Sequence, residues 1–481
     1  MNRRNFLGKS ALTNLLAVGS VSSLFASGKP KEKNNYKNYR VAIEVDVLVC
    51  GGGCSGVVTA ISAARHGAKV ALIERLPSIG GMATNGLVNA WHTSDREKLV
   101  ILGLVEESGQ RLLKGNWVIK DLRNNHSHET YWFEPEGARI VWQQMLREAG
   151  VRTFCYLAVG EPIVEGNQVK GILADTKTGR KAFLGKIVID CTGDGDIAAN
   201  AGLPFSYGRE SDELVQGMTM CFTLRGLDVP MMKTIPNDQL DQIMNKMEQL
   251  RKEGKMPPFN AGNTRALLRG AWGNFFPWNM CPVAGNPLDE EELTRLTEIS
   301  REQILQYIDF WKKDVPGMET AKLDQTACSL GIRESRRVKG LNTLDKDMVL
   351  EAVKQPDAVG HGVWMLDIHD PKGSGYTTFT DQNTRTMLKA GTSYHIPLGI
   401  ALNDRFHNLA VPCRAASTTH QALASFRVQS HLMVLSQGVG TCAAMALDAN
   451  TTMDKVDIKE LQKVLKADGV YLEDVPQKKF Q

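Results

Sequence analysis

Nine cysteines are spread over the 481 residues, and no two of them stand in a C-x-x-C pair. That lack argues against a zinc ribbon and against a ferredoxin-type cluster carried by this chain alone. No charge of one sign dominates, with 57 Lys plus Arg against 53 Asp plus Glu. Nucleic acid and anionic membrane surfaces are therefore not expected as partners. The uncharged stretch from Ser10 to Gly28 is short and broken by Asn14, Gly19 and several serines, so no stable membrane span is expected. Internal repeats and low-complexity blocks are missing too. What is present is the composition of a soluble globular protein, 42% hydrophobic and 23% charged. Its length suits roughly two or three domains. Most of the cysteines are expected to be small buried apolar residues.

Residues 1–28 open with Arg3-Arg4-Asn5-Phe6-Leu7 and Lys9, ahead of the uncharged stretch and a small-residue end. This resembles a twin-arginine export signal, which implies a periplasmic, bacterial enzyme that folds before export, with the disordered start of a cytoplasmic protein as the alternative. Residues 29–40 follow as a polar linker.

The first chemical signal is a βαβ unit. Val45–Cys50 is an apolar run of strand length, as a buried parallel strand should be. Gly51-Gly52-Gly53-Cys54-Ser55-Gly56 follows, then a helical pattern through Val57, Ala60, Ile61 and Ala64, then a second apolar strand ending in Glu74. This places G-x-G-x-x-G at a strand-to-helix turn, with an acid eighteen residues after the last glycine. Gly51 allows the tight turn, Gly53 admits a pyrophosphate to the backbone, and Gly56 lets helix and strand pack closely. Free N–H groups at the helix start, including those of Cys54 and Ser55, suit a diphosphate, and Glu74 suits ribose hydroxyls.

Past Glu74 the chain reads Arg75-Leu76-Pro77-Ser78-Ile79-Gly80-Gly81-Met82-Ala83-Thr84. Here it resembles flavoproteins of the glutathione-reductase and fumarate-reductase type, in which a Glu-Arg pair and a second glycine loop run along FAD. Three strands over 160–190, with turns at Gly166-Asn167 and Thr178-Gly179, end in Asp190-Cys191-Thr192-Gly193-Asp194-Gly195-Asp196. That ending is similar to the second FAD motif of the same proteins, and Val159 stands where they contact adenine through the backbone. Further stretches, Gly331 to Arg337, Asp367-Ile368-His369, Tyr394-His395-Ile396-Pro397, Arg414 to His420 and Ser425-Phe426-Arg427, extend the likeness over most of 45–447. The family is that of FAD-dependent oxidoreductases, which also includes the flavin part of heterodisulfide reductase. The cysteine runs that hold iron–sulfur clusters in those relatives are absent, and no metal is expected.

The resemblance implies an α/β fold: a Rossmann-like FAD-binding domain, with a parallel sheet and a β-meander, plus an inserted α+β substrate or cap domain. The expected division is 41–205 and 401–450 for the FAD-binding domain, 206–400 for the insert, and 451–481 for a terminal helix and tail. Gln437-Gly438-Val439-Gly440-Thr441 is expected to open a helix whose N-terminus lies under the flavin, with Arg427 also touching it. The implied chemistry is hydride transfer between flavin N5 and a small polar, anionic or sugar-like substrate, with an acceptor left unspecified. A flavin monooxygenase and an electron-relay subunit stay open as alternatives. Candidate acid–base groups are His369 and His420, then His92, His395 and Asp367. Asp367 and His369 share a side of an extended segment. Arg333 and Arg336, with Arg337, are expected to clamp an anion.

Overall fold

A computed structural model describes residues 36–122, 129–270, 278–372 and 386–472. Residues 1–28, expected to be an export signal, most of the linker 29–40 and residues 271–277 lie outside the described residues. The first sheet begins with β1 (Val41–Cys50), which leads through the glycine turn into α1 (Cys54–Arg65) and back to β2 (Val70–Ile73). β2 pairs in parallel with β1, Val47 facing Val70, and β3 (Arg152–Phe154) adds in parallel on its far side. β4 (Ala158–Glu165), β5 (Gln168–Thr176) and β6 (Gly179–Asp190) form the antiparallel meander, so the order across the sheet is β3-β2-β1-β6-β5-β4. The first meander turn falls at Gly166-Asn167 as expected, and the second at Lys177-Thr178, one residue earlier than expected. Val47, Leu48, Val49 and Cys50 are fully buried, which is why β1 reads as an unbroken apolar run.

The inserted segment has its own sheet of β7 (Met218–Arg225), β8 (Trp278–Val283) and β9 (Lys322–Thr326), with β7 central and antiparallel to both. Two amphipathic helices cover it: α2 (Asn237–Lys252) through Leu240, Ile243 and Met247, and α3 (Glu290–Asp314) through Leu296, Ile304, Tyr307 and Trp311. α3 starts as its sequence dictates. Asp289 caps Glu292 N at 2.8 Å, and three glutamates complement the dipole in the first turn. The apolar cluster of this insert runs from Met218 to Leu330 and recruits Leu87. Residues between Leu344 and Ile400, also within 206–400, pack instead into the cluster formed by one face of the first sheet and its helices.

The chain returns to the first sheet with β10 (Leu409–Ala410), parallel to β6 at Val188 and Ile189, and continues into α4 (Gln429–Asp448). α4 is long and apolar enough to cross a membrane, yet 89% of its apolar window is buried, so it is a core helix. Here the expectation for Gly438, Val439 and Gly440 is corrected. They do not open a helix; they sit in its middle, and the helix starts at Gln429 after Val428. The glycines serve helix packing. A Cβ on Gly440 would meet Thr59 O of α1 at 2.5 Å, and one on Gly438 would meet the Val359 side chain at 2.5 Å. Ser62 of α1 locks the seam, its Oγ donating to Gln437 O at 2.9 Å and lying 2.8 Å from Thr441 Oγ1.

Gly440→Val forces this seam apart. We expect a loss of about 1–3 kcal/mol in unfolding free energy by urea titration, and unchanged stability would contradict the packing described.

Candidate active site

A cleft of about 870 Å³ opens between the carboxyl edge of the first sheet and the insert. Its floor is the first glycine turn. Gly51 has φ +107°, and a Cβ there would lie 2.2 Å from Cys191 O, so only glycine fits between β1 and the end of β6. Gly56 is packed against Gly51 O, where a Cβ would come within 1.8 Å. Gly53 differs. Its φ is −67°, and an added Cβ would meet nothing nearer than Gly81 Cα at 4.0 Å. The protein alone has no need of glycine at 53. The space beside it belongs to a ligand, as the motif requires for a diphosphate.

α1 presents its first N–H groups to that space, with no side-chain cap from Gly53. Burial pushes the Cys54 thiol up to about 11, so it stays neutral at the helix start and does not oppose an anion. Glu74 is buried, and each carboxylate oxygen already accepts a backbone N–H: Oε2 from Gly52 at 2.6 Å and Oε1 from Leu76 at 2.8 Å. Those bonds fix the carboxylate on the cleft wall and leave acceptor capacity for a ribose. The second loop docks backbone to backbone, Gly80 N donating to Gly52 O at 2.7 Å. Gly81 and Met82 line the cleft, whereas Gly56, Gly80, Ala83 and Thr84 do not. Thr84 Oγ1 donates to Ile79 O at 2.7 Å, so this hydroxyl holds the loop's shape rather than facing a ligand.

The second motif closes the groove. Asp190 is buried and raised to about 6 by burial, though it accepts from Thr192 N, Thr192 Oγ1 and Ala198 N. It thereby folds the 192–196 turn whose Thr192, Gly193, Asp194 and Asp196 line the cleft, as Arg75 and Val159 also do. Arg414, which the sequence did not single out as a ligand, is part of this wall. Its guanidinium lies over Gly193, where a Cβ would be 2.9 Å from Nη1, and it pairs with Asp194. Its Nε is buried without a hydrogen-bond partner among the described residues. The residues therefore fit FAD: Gly53, Cys54, Ser55 and Gly81 at the diphosphate, Glu74 and Val159 at the adenosine half, and Arg414 and Thr192 to Asp194 along the opposite wall. The true start of α4, Val428 and Gln429, lines the cleft where Gly438 to Gly440 were expected to.

The candidate acid–base residues, the anion-clamping arginines and Arg427, expected at the flavin, separate into two groups. His92, Arg333, Asp367, His369 and Arg427 line the cleft. His369 Nε2 is 3.2 Å from Asp367 Oδ2, and Arg427 Nη2 donates to Asp367 Oδ2 at 3.0 Å and to Asp367 O at 2.9 Å. Arg333 Nη1 donates to Gly217 O and Thr219 Oγ1 at 2.7 and 2.6 Å. His92 stacks on Trp364 with ring centroids 3.8 Å apart. Burial raises Asp367, but His369 and the guanidinium groups of Arg427 and Arg333 outweigh it and hold the carboxyl well below its usual range. Burial, then the charge of Arg333, lowers His369 to about 4, so its imidazole is neutral at pH 7.

His420, His395 and Arg336 are corrections, for none lines the cleft. His420 Nδ1 lies 2.7 Å from Glu334 Oε2, a fully buried carboxylate that also takes Gln216 N and pairs with Arg337. His395 Nδ1 accepts from Gln355 N at 2.9 Å, with its ring edge-on to His361. Arg336 pairs with Asp196 at 2.9 Å and donates to Asp194 O, so it braces the second motif from outside.

A sequence profile of the family described as FAD dependent oxidoreductase matches residues 46–465. The fumarate reductase (cytochrome) of Shewanella frigidimarina is 35% identical over 116 residues, 22% of this chain and 20% of that protein. The thiamine thiazole synthase of Pyrococcus abyssi is 29% identical over 170 residues, 33% of this chain and 62% of that protein. The chain thus spans less than two thirds of either relative. Among solved structures, a geranylgeranyl bacteriochlorophyll reductase-like protein from Thermoplasma acidophilum is 14% identical with a TM-score of 0.44, covering 88% of this chain and 83% of that one.

Two substitutions separate ligand space from protein packing. Gly53→Ala should leave the urea midpoint unchanged yet weaken FAD binding at least about tenfold, whereas Gly51→Ala should lower stability itself. Arg414→Met removes a charged donor worth about 1.5–3 kcal/mol, so FAD retention after dialysis should fall about tenfold or more. Undiminished FAD affinity in Gly53→Ala or Arg414→Met contradicts its assignment.

Proposed function

Because the chain belongs to the FAD-dependent oxidoreductase family, we propose that it is a dehydrogenase or reductase moving a hydride between a small, polar, anionic substrate and flavin N5. The Asp367–His369 pair, set beside Arg333 and Arg427 in the cleft that holds the dinucleotide residues, carries this reading. FAD, when bound, supplies the two-electron acceptor or donor. The chain's own residues supply the rest. Two guanidinium groups face one carboxylate and a neutral imidazole, so the wall has a surplus positive charge that favours an anion. Arg333 is aimed by Gly217 O and Thr219 Oγ1, and Arg427 by Asp367, so neither must reorganise when a carboxylate docks.

An ionised carboxylate only accepts, so the 3.2 Å contact with Asp367 puts the hydrogen on His369 Nε2 and leaves Nδ1 as the basic nitrogen. Neutral at pH 7, it can take a proton as a C–H bond of the substrate yields its hydride. A cleft walled in part by the insert supports a self-contained site over an electron relay. The twin-arginine segment supports a place outside the cytoplasm. Replacing Arg3 and Arg4 with Lys should then leave the protein in the cytoplasmic fraction, and unchanged export would contradict that placement.

In FAD-loaded protein, His369→Gln and Asp367→Asn should slow anaerobic bleaching of the flavin band by a substrate about a hundredfold or more, with the oxidised spectrum intact. The wild-type kcat/KM should rise with pH through about 4, as His369 loses its proton, and stay level around neutrality. Bleaching at the wild-type rate in both variants would remove this pair from the reaction.

A further inference from the structure

We propose that the reduced substrate is a hydroxy carboxylate, a monoanion whose hydroxyl stands beside its carboxylate. This rests on the site reading above and narrows it. Two atoms of the cleft-lining cluster, Asp367 Oδ1 and Arg427 Nε, are buried without a hydrogen-bond partner among the described residues. The neighbouring atoms are engaged: Asp367 Oδ2 takes His369 Nε2 and Arg427 Nη2, and Arg427 Nη2 also donates to Asp367 O. Asp367 and Arg427 are nearly enclosed, their side chains 11% and 13% exposed. A buried carboxylate oxygen and a buried guanidinium N–H left unpaired are costly, and both belong to one ion pair. The cluster therefore offers one acceptor and one donor that a ligand can satisfy together.

Charge narrows the class further. Arg333 and Arg427 carry two positive charges, Asp367 one negative, and His369 none at neutral pH. The remainder is one positive charge, which a monoanion cancels. An amino acid carries the donor but has no net charge, so the surplus remains. A plain carboxylic acid anion cancels the charge but gives Asp367 Oδ1 no donor, and an oxo acid gives none either. A hydroxy acid meets both conditions, with its carboxylate on the guanidinium groups and its hydroxyl donating to Asp367 Oδ1.

The reaction balances. For reaction the hydroxyl would turn from Asp367 to His369 Nδ1, its O–H bond breaking with the proton passing to that nitrogen, while the C–H bond on the same carbon would yield its hydride to bound FAD as a C=O bond forms. The hydroxy acid loses two electrons to become the oxo acid, and FAD gains them. The product has lost the donor that Asp367 held, so it leaves more readily than the substrate.

Four three-carbon acids that differ only at C2 test this: lactate, propionate, alanine and pyruvate. Each is titrated into FAD-loaded protein and read by perturbation of the visible flavin spectrum, with anaerobic bleaching followed in parallel. Lactate should bind at least about tenfold more tightly than each of the others, because a site built around a hydroxyl rejects the analogue that lacks it. Asp367→Asn should bring lactate and propionate within about threefold of each other, with FAD still bound. Asp367→Ala serves if that variant does not load FAD. Propionate, alanine or pyruvate binding as well as lactate overturns the proposal, as does the absence of any perturbation by all four. Bleaching by some other class of compound in a wider anaerobic screen would sink the hydroxy-acid inference alone, whereas no bleaching by any compound would sink the oxidoreductase reading beneath it.

Discussion

Two glycine turns meeting backbone to backbone are the constraint on which the rest of the site depends. Gly80 N reaches Gly52 O at 2.7 Å, while Glu74 clasps Gly52 N from below. No side chain intervenes, so α1 ends in bare N–H groups facing a hollow that Gly53 keeps open. An anion placed there gains fixed dipoles without any reorganisation of the protein. Everything further along the cleft takes its position from that contact. β6 is pinned against Gly51, and the 192–196 turn follows from β6.

The same economy of side chains recurs behind the sheet. Gly438 and Gly440 bring α4 close to Val359 and α1, which sets where the start of α4 emerges at the cleft. Asp194 and Asp196 are held by Arg414, Ser335 and Arg336, so the 331–337 segment braces the cofactor wall while its Arg333 reaches the substrate side. One short segment thus couples the two halves of the cleft. That coupling explains why this arginine-rich stretch, with three guanidinium groups, sends only one of them to the cleft.

Most of the fold was legible because it follows from local patterns. The apolar run into Gly51, the helical spacing after it and the meander turns at Gly166 and Thr178 are short-range signals. The errors arise where tertiary contact decides. Two glycines in an alanine-rich stretch look like a loop, yet Gly438 and Gly440 are smooth faces of a buried helix. Thr84 follows a glycine pair as a cofactor hydroxyl would, but its partner is five residues away in its own loop. His420 and His369 are indistinguishable by sequence type; a buried Glu334 from a distant segment takes one, while the cleft takes the other. Arg414 carried a signal in its place just past Cys413, on the return to the sheet, but only its position over Gly193 shows that it faces the dinucleotide groove.

The most direct measurement is a crystal structure of the protein loaded with FAD. The diphosphate oxygens should lie within about 2.7–3.2 Å of the backbone N–H groups at the start of α1 and of the second glycine loop. The flavin end should face the cluster of Arg333, Asp367, His369 and Arg427. A diphosphate lying elsewhere in the cleft, or a protein that crystallises from excess FAD with none bound, would contradict the account.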